Sequence, residues 1–239
     1  LQQFNRALVQ RNSLLRRLRE HHDDPTQLAY WDLQLARWGA LVIHRRTQAV
    51  RRLEASAAAV QPELTGGTEQ LQLRYLPSPA LRDGPLPQPS GVLPEARPRG
   101  NGDWLSADPD QPPLPLLDDF LQALERARSR DIGAGVSTLG PHRDELRFLA
   151  NGVDMGLFGS RGQQRTVALA LKLAEVRFMS EETGEAPVLL LDDVMSELDR
   201  SRGGYLLQTV DRVSQVIITA TDLSLYPDDF VQRATQWQV

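Results

Sequence analysis

The chain has 239 residues, 27 of them basic and 31 acidic, for a formal net charge of −4. That length suits one large domain or two small ones, with enough chain to bury a substantial core. No cysteine is present, which excludes disulfides, thiolate catalysis and Cys-ligated zinc and agrees with a reducing, cytoplasmic location.

His21, His22, His44 and His142 have no metal-ligand spacing. The longest apolar stretch, 167–179, is broken by Lys172, Glu175 and Arg177, so no membrane span is expected. No basic-then-apolar signal segment opens the chain. Leu1 already lies inside a helical pattern, which suggests a segment of a longer protein. Of the basic residues 26 are Arg, and the single lysine, Lys172, follows Ala-Leu-Ala-Leu. The chain therefore contains no G-x-x-x-x-G-K-[ST] phosphate loop.

Residues 1–60 carry ten Arg and five acids. Leu1, Phe4, Leu8, Leu15 and Leu18 recur at helical spacing. Asp23-Asp24-Pro25 breaks that run, and Trp31, Leu35, Trp38, Val42, Ala49 and Leu53 begin a second. The pattern predicts an antiparallel helical hairpin with packed apolar seams. Its arginines are either a solvated face or a surface for nucleic acid or a partner.

Leu71–Leu76 alternates and predicts a strand. Residues 76–115 hold 11 of the 16 prolines, a composition expected of a loop or disordered insertion. A helix is expected over 116–130, with Leu117, Phe120, Leu121 and Leu124 on one face. Val136–Leu139 reads as a short strand, and Leu146–Ala150 as the start of a hairpin turning through Asn151-Gly152. From Gly162 to about Glu182 a helix apolar nearly all round implies burial. Val188–Leu191 and Gln215–Thr219 read as buried parallel strands, with a helix from about Asp199 to Val213. This strand–helix–strand order predicts an α/β sheet.

Three short segments can carry chemistry. In Val188-Leu189-Leu190-Leu191-Asp192-Asp193, two acids follow a four-residue apolar strand. Acids at such a strand end face the place where open α/β sheets bind ligands, and one can hold Mg²⁺ directly or through water. The other reading is a pair of acids that starts a turn. In Ser160-Arg161-Gly162-Gln163, the serine and the glutamine three residues on form a capping box. The same atoms, with free N–H groups at the helix start and a glycine open to backbone approach, suit a phosphate. In Ser196-Glu197-Leu198-Asp199, the aspartate suits a helix N-cap.

In this order and spacing the three segments resemble the C-terminal half of an ABC-type ATPase head, of the SMC-like branch that inserts helical arms. GPHRDEL at 140–146, GSRGQQRTVALALKLAE at 159–175, LLLDDVMSELD at 189–199 and TATD at 219–222 narrow the resemblance to the RecF family. It covers about 115–239 strongly and 1–75 loosely. The resemblance implies an α/β fold: the C-terminal lobe of a P-loop ATPase head with an inserted antiparallel helical arm. The implied divisions are an arm at 1–60, a strand and return at 61–75, the Pro-rich insertion at 76–115 and the ATPase lobe at 116–239.

It further implies an ATP-dependent DNA clamp in replication, repair and the SOS response, with weak ATPase activity in the parent protein. ATP and Mg²⁺ are the implied cofactors. Asp192 would be the Mg²⁺ acid, through water, and Asp193 the second acid of the site. Ser160, Gly162 and Gln163 would cap the nucleotide of a second subunit, and Asp199 would lie on the loop between subunits. Implied partners are a second copy of the protein, recombination-mediator proteins, and DNA at single-strand gaps or duplex junctions, met by arm arginines such as Arg45, Arg46, Arg51 and Arg52. Asp193 departs from the Glu more usual in such heads, which fits slow hydrolysis. Two other readings are the head of a different SMC-like repair or chromosome ATPase, and a non-enzymatic helical adaptor with a decayed nucleotide site.

Overall fold

The computed structural model describes residues 1–21, 24–79, 111–211 and 213–238. Most of the Pro-rich insertion expected at 76–115 lies outside these residues. The chain forms two compact units, Leu1–Arg51 with Leu73–Asp154, and Arg52–Gln72 with Met155–Val239.

The first unit is built on three helices: α1 (Gln2–His21), the opening turns of α2 (Leu28–Thr65) and α3 (Leu114–Ala134). Before α2, Asp24 accepts the Thr26 N–H at 2.9 Å and Pro25 opens a 3₁₀ turn. Proline is tolerated there because the first helical N–H groups have no helical acceptor. The expected antiparallel seam is present. Leu14, Leu15 and Leu18 pack near Leu28 and Trp31, while Phe4 and Ala7 pack with Leu35, Ala36, Ala40 and Ile43. Leu116, Phe120 and Leu124 of α3 complete the core. Gly39 is required where α2 meets α3, because a Cβ there would land on the Phe120 ring. Gly135 ends α3 at φ 68°, the left-handed cap that favours glycine.

The strand expected at Val136–Leu139 does not form. Its backbone is held by side chains instead of a ladder: Ser137 N–H donates to Asn12 Oδ1 at 2.7 Å and Thr138 N–H to Asp131 Oδ1 at 3.1 Å. The hairpin through Asn151-Gly152 does form. It joins β2 (Glu145–Ala150) to β3 (Val153–Asp154), with Leu149 opposite Asp154 and Ala150 opposite Val153. Asn151 at φ 49° and Gly152 at φ 80° supply the two positive φ angles of a type I′ turn. β1 (Leu71–Leu76) lies beside β2, so the sheet order is β1-β2-β3.

The second unit contains α4 (Met155–Phe158), α5 (Arg161–Thr183), β4 (Leu189–Asp192), α6 (Arg200–Val210), β5 (Val216–Thr219) and α7 (Asp228–Arg233). Two expectations are corrected here. α5 is buried along one side only, by Thr166, Val167, Leu169, Ala170, Leu173 and Ala174; Met179 stays exposed. The parallel pair β4–β5 forms in the expected order, but it is not buried on both faces. Leu190 is 69% exposed, Val188 54% and Ile217 44%. Side chains of a strand alternate between faces, and full burial needs a covering layer on each; here the burial alternates along both strands. Among the described residues no helix is long and apolar enough to cross a membrane.

Candidate functional site

The parallel register sets Asp192, at the end of β4, opposite Thr219, at the end of β5. The Thr219 hydroxyl donates to Asp192 Oδ1 at 2.5 Å. The next backbone N–H, of Asp193, donates to the carbonyl and hydroxyl oxygens of Thr219 at 3.1 and 3.0 Å. Asp193 takes a left-handed conformation, φ 45°, which costs a non-glycine residue some strain. Its carboxylate is held on both sides, by the Ser196 hydroxyl at 2.9 Å and the Thr221 hydroxyl at 3.2 Å. Asp192 and Asp193 thus stand side by side with different duties. Asp193 is fixed by two hydroxyls, whereas Asp192 uses one oxygen on Thr219.

This donor set fits Mg²⁺ in its usual manner, with one carboxylate supplemented by water and phosphate oxygens. Asp192 would be the residue that holds it. Among the described residues no group of three or more His, Cys, Asp or Glu forms an all-protein cage. Thr219 and Thr221 belong to the TATD run at 219–222, and the structure gives that run a role that its sequence alone does not: it holds both acids. Sequence reading missed Tyr226. It is 7% exposed and its hydroxyl has no partner among the described residues. Burial first, and the Asp193 charge second, push its phenol above the ordinary range, so it stays protonated.

Ser160 is the N-cap of α5. Its hydroxyl accepts the Gln163 N–H at 3.3 Å, and the Gln163 side-chain oxygen accepts the Ser160 N–H at 3.0 Å, so the expected capping box closes. Gly162 adjoins open space, with no atom within 4 Å of a Cβ built there, and its φ is not positive. Neither packing nor backbone conformation within this chain requires glycine at that position. Leu157 and Phe158, just before the cap, are 70% and 62% exposed. Arg165 pairs with Glu197 at 3.1 Å. Asp199 caps α6, accepting the Arg202 N–H at 3.0 Å. Among the described residues no hydrogen bond joins Ser160, Gly162 or Gln163 to Asp192 or Asp193. The two motif groups remain separate sets.

Of the four arm arginines, Arg45, Arg51 and Arg52 are exposed and Arg46 is half-buried. Arg46 is committed within the first unit, donating to Pro141 O at 2.6 Å and to Asp144 at 2.7 Å. Arg52 pairs with Glu181 and Glu182 and covers the Phe178 ring. Asp144 also accepts from the Tyr75 hydroxyl and from Ser78 N–H at 2.8 Å. Of the three residues 142–144, whose role the sequence leaves open, Asp144 is a hub tying α2, β1 and the loop before β2. His142 packs against Phe4 and places its ring nitrogen 3.2 Å from Ser137 O.

No family model matches the chain. Curated relatives do. The DNA replication and repair protein RecF of Chloroflexus aurantiacus is 38% identical over 244 residues, covering 100% of this chain and 56% of the relative. RecF of Microcystis aeruginosa is 36% identical over 245 residues, covering 100% and 58%. A solved structure of the recombination mediator protein RecF with ATP, of the RecFOR pathway, superposes with a TM-score of 0.72 at 31% identity, over 95% of this chain and 54% of that one. The chain spans little more than half the length of the proteins it matches.

Proposed function

Starting from a chain that is RecF-type along its full length and corresponds to the C-terminal portion of those proteins, we propose that it serves an ATP-switched DNA clamp of replication and repair. Nucleotide would close a homodimer, the dimer would hold DNA at single-strand gaps or duplex junctions, and slow hydrolysis would release it. In this reading 1–60 is the arm and 116–239 the ATPase lobe, and recombination mediators are the protein partners, within the SOS response. The phosphate loop would come from sequence that this chain does not contain.

Asp192 holds Mg²⁺ through water, and Asp193 is the second acid. Ser160, Gly162 and Gln163 meet the nucleotide of the second subunit, beside the interface loop of Asp199. DNA phosphates are met by arm arginines: Arg45, Arg46, Arg51 and Arg52, with Arg6, Arg16, Arg17 and Arg19 exposed on α1. Such contacts position DNA without reading its sequence.

The observation that carries this reading is Gly162. A glycine in open space at a helix start, beside an exposed serine, has no use inside the chain. It leaves room for something that approaches from outside, and the free N–H groups there favour an anion.

The test is Ser160 in the full-length protein. A hydrogen bond to charged phosphate contributes roughly 1.5–3 kcal/mol. A two-fold dimer has two such sites, so losing both removes roughly 3–6 kcal/mol, or roughly two to four decades of dimer affinity. Ser160→Arg should bind ATP yet fail to dimerise. Ser160→Asp keeps a good N-cap but sets a charge against phosphate, and should fail likewise while melting normally. Sedimentation with and without ATP reads this out. A Ser160→Asp protein that still dimerises with ATP would sink the assignment.

A further inference from the structure

Glu69 follows the end of α2, on the turn that leads into β1, and is half-buried. Its two carboxylate oxygens take different amides. Oε2 accepts from Gln61 Nε2 at 3.0 Å, and Oε1 accepts from Gln163 Nε2 at 2.9 Å. All three residues belong to the second unit. Gln61 lies in the last turns of α2 and is fully buried, while its own Oε1 has no partner among the described residues. The donor end of that amide therefore faces Glu69 at the expense of its acceptor end. Glu69 is itself held in place, since its N–H donates to the Thr65 hydroxyl at 3.3 Å.

The consequence falls on Gln163. A side-chain amide presents an acceptor at one end and a donor at the other. With its donor on Glu69, its oxygen must face the Ser160 N–H, which is the bond that closes the capping box. A carboxylate offers only acceptors, so the reversed amide would set oxygen against oxygen. Glu69 thus fixes the sense of the Gln163 amide, and through it Ser160. Gln61 links the same carboxylate to the end of the long arm helix.

We propose that Glu69 is a positioning residue for the Ser160–Gln163 motif, joining the base of the arm helix to the edge that meets a second subunit's nucleotide. This rests on the function proposed above and adds a route by which movement of the arm changes nucleotide-dependent closure. Glu69 touches neither nucleotide nor metal; it acts through Gln163.

The experiment measures ATP-driven dimerisation of the full-length protein by sedimentation, beside ATP binding and thermal melting. Glu69→Ala should weaken dimerisation about tenfold, well under the loss expected at Ser160 because Glu69 acts only through Gln163, with ATP binding unchanged. Glu69→Gln keeps the size but offers one acceptor oxygen to two amides, and should lose about threefold. It serves if the alanine variant does not fold. The readout that a general stability role would not move is non-additivity: Glu69→Ala with Gln163→Ala should dimerise no worse than Gln163→Ala alone. Additive losses, or wild-type dimerisation by both Glu69 variants while Ser160→Arg fails, would overturn the positioning role and leave the proposed function intact. Wild-type dimerisation by the Ser160 and Glu69 variants together would overturn both.

Discussion

The two units use the same residue types in opposite ways. In the first, Arg11 is wholly buried between Asp32 and Asp131, with ion-pair distances of 2.7 Å to each. Its Nη1 also donates to Ser137 at 2.7 Å, and Arg128 adds a second cation on Asp32 at 2.6 Å. In the second unit the corresponding groups are in the open: Asp192, Ser160 and Asp199 are exposed at a strand end and two helix starts. Charges paired in the core are expensive to disturb, and here every carboxylate oxygen of Asp32 and Asp131 is already taken, although Arg11 Nη2 has no partner among the described residues. Polar groups at element ends contribute their capping bonds, about 1 kcal/mol each, and stay open to solvent.

The largest effect should come from breaking the closed set. Arg11→Ala leaves two buried carboxylates without their shared cation, and losing one member of such a set costs about 3–5 kcal/mol. That is a large share of the ordinary stability of a domain, about 5–15 kcal/mol. Chemical denaturation should show the first unit unfolding early. A variant with an unchanged midpoint would mean that the set is not closed in solution.

A smaller effect is expected with pH, again confined to the first unit. Burial holds His44 and His142 below the usual imidazole range, with Arg45 and Arg143 adding repulsion and the Ser137 carbonyl opposing at His142. A depressed histidine is neutral when folded and takes up its proton on unfolding. The stability involved is therefore present above the unfolded value of about 6.5 and lost as pH falls below it. Every histidine of the chain lies within the first unit's range, and none in 52–72 or 155–239. Hydrogen exchange at pH 7.5 and 5.5 should show protection falling in α1, α2 and α3. A fall confined to α5 and α6 would contradict the assignment. His44→Gln should flatten the response.

The smallest effect concerns Gly162. Within this chain an alanine there meets nothing, and replacing a helical glycine stabilises by up to about 1 kcal/mol. Gly162→Ala should raise the melting temperature slightly, and in the full-length protein it should impair the dimerisation proposed above. A lower melting temperature would reveal a packing role that the open surroundings do not show.

Much of the candidate site's local geometry was legible because its parts are local. The capping box at Ser160 and Gln163, the N-cap at Asp199 and the Asn151-Gly152 turn each close within four residues. A pattern of hydroxyl, amide or glycine at fixed spacing specifies such bonds, whatever the rest of the chain does. The acids Asp192 and Asp193 were placed by the same logic, since an apolar run that ends in carboxylates marks where a strand leaves the core.

What the sequence determined by itself, then, was helices α1, α2, α3, α5 and α6, the hairpin, the parallel pair and the polar residues at their ends, because spacing and capping are short-range; the short helices α4 and α7 carry too few residues to show a period. Tertiary structure alone decided which polar groups meet. Val136–Leu139 has the composition of a strand, but Asn12 and Asp131, 125 and seven residues away from their partners, claim its backbone N–H groups. Arg46 reads like its neighbours on the arm, yet Asp144, 98 residues on, takes it out of the open face. Glu69 carries no motif, and its meaning comes from Gln163, 94 residues later. Buried or half-buried polar groups must find partners wherever the fold brings them, and residue spacing along the chain holds no record of that distance.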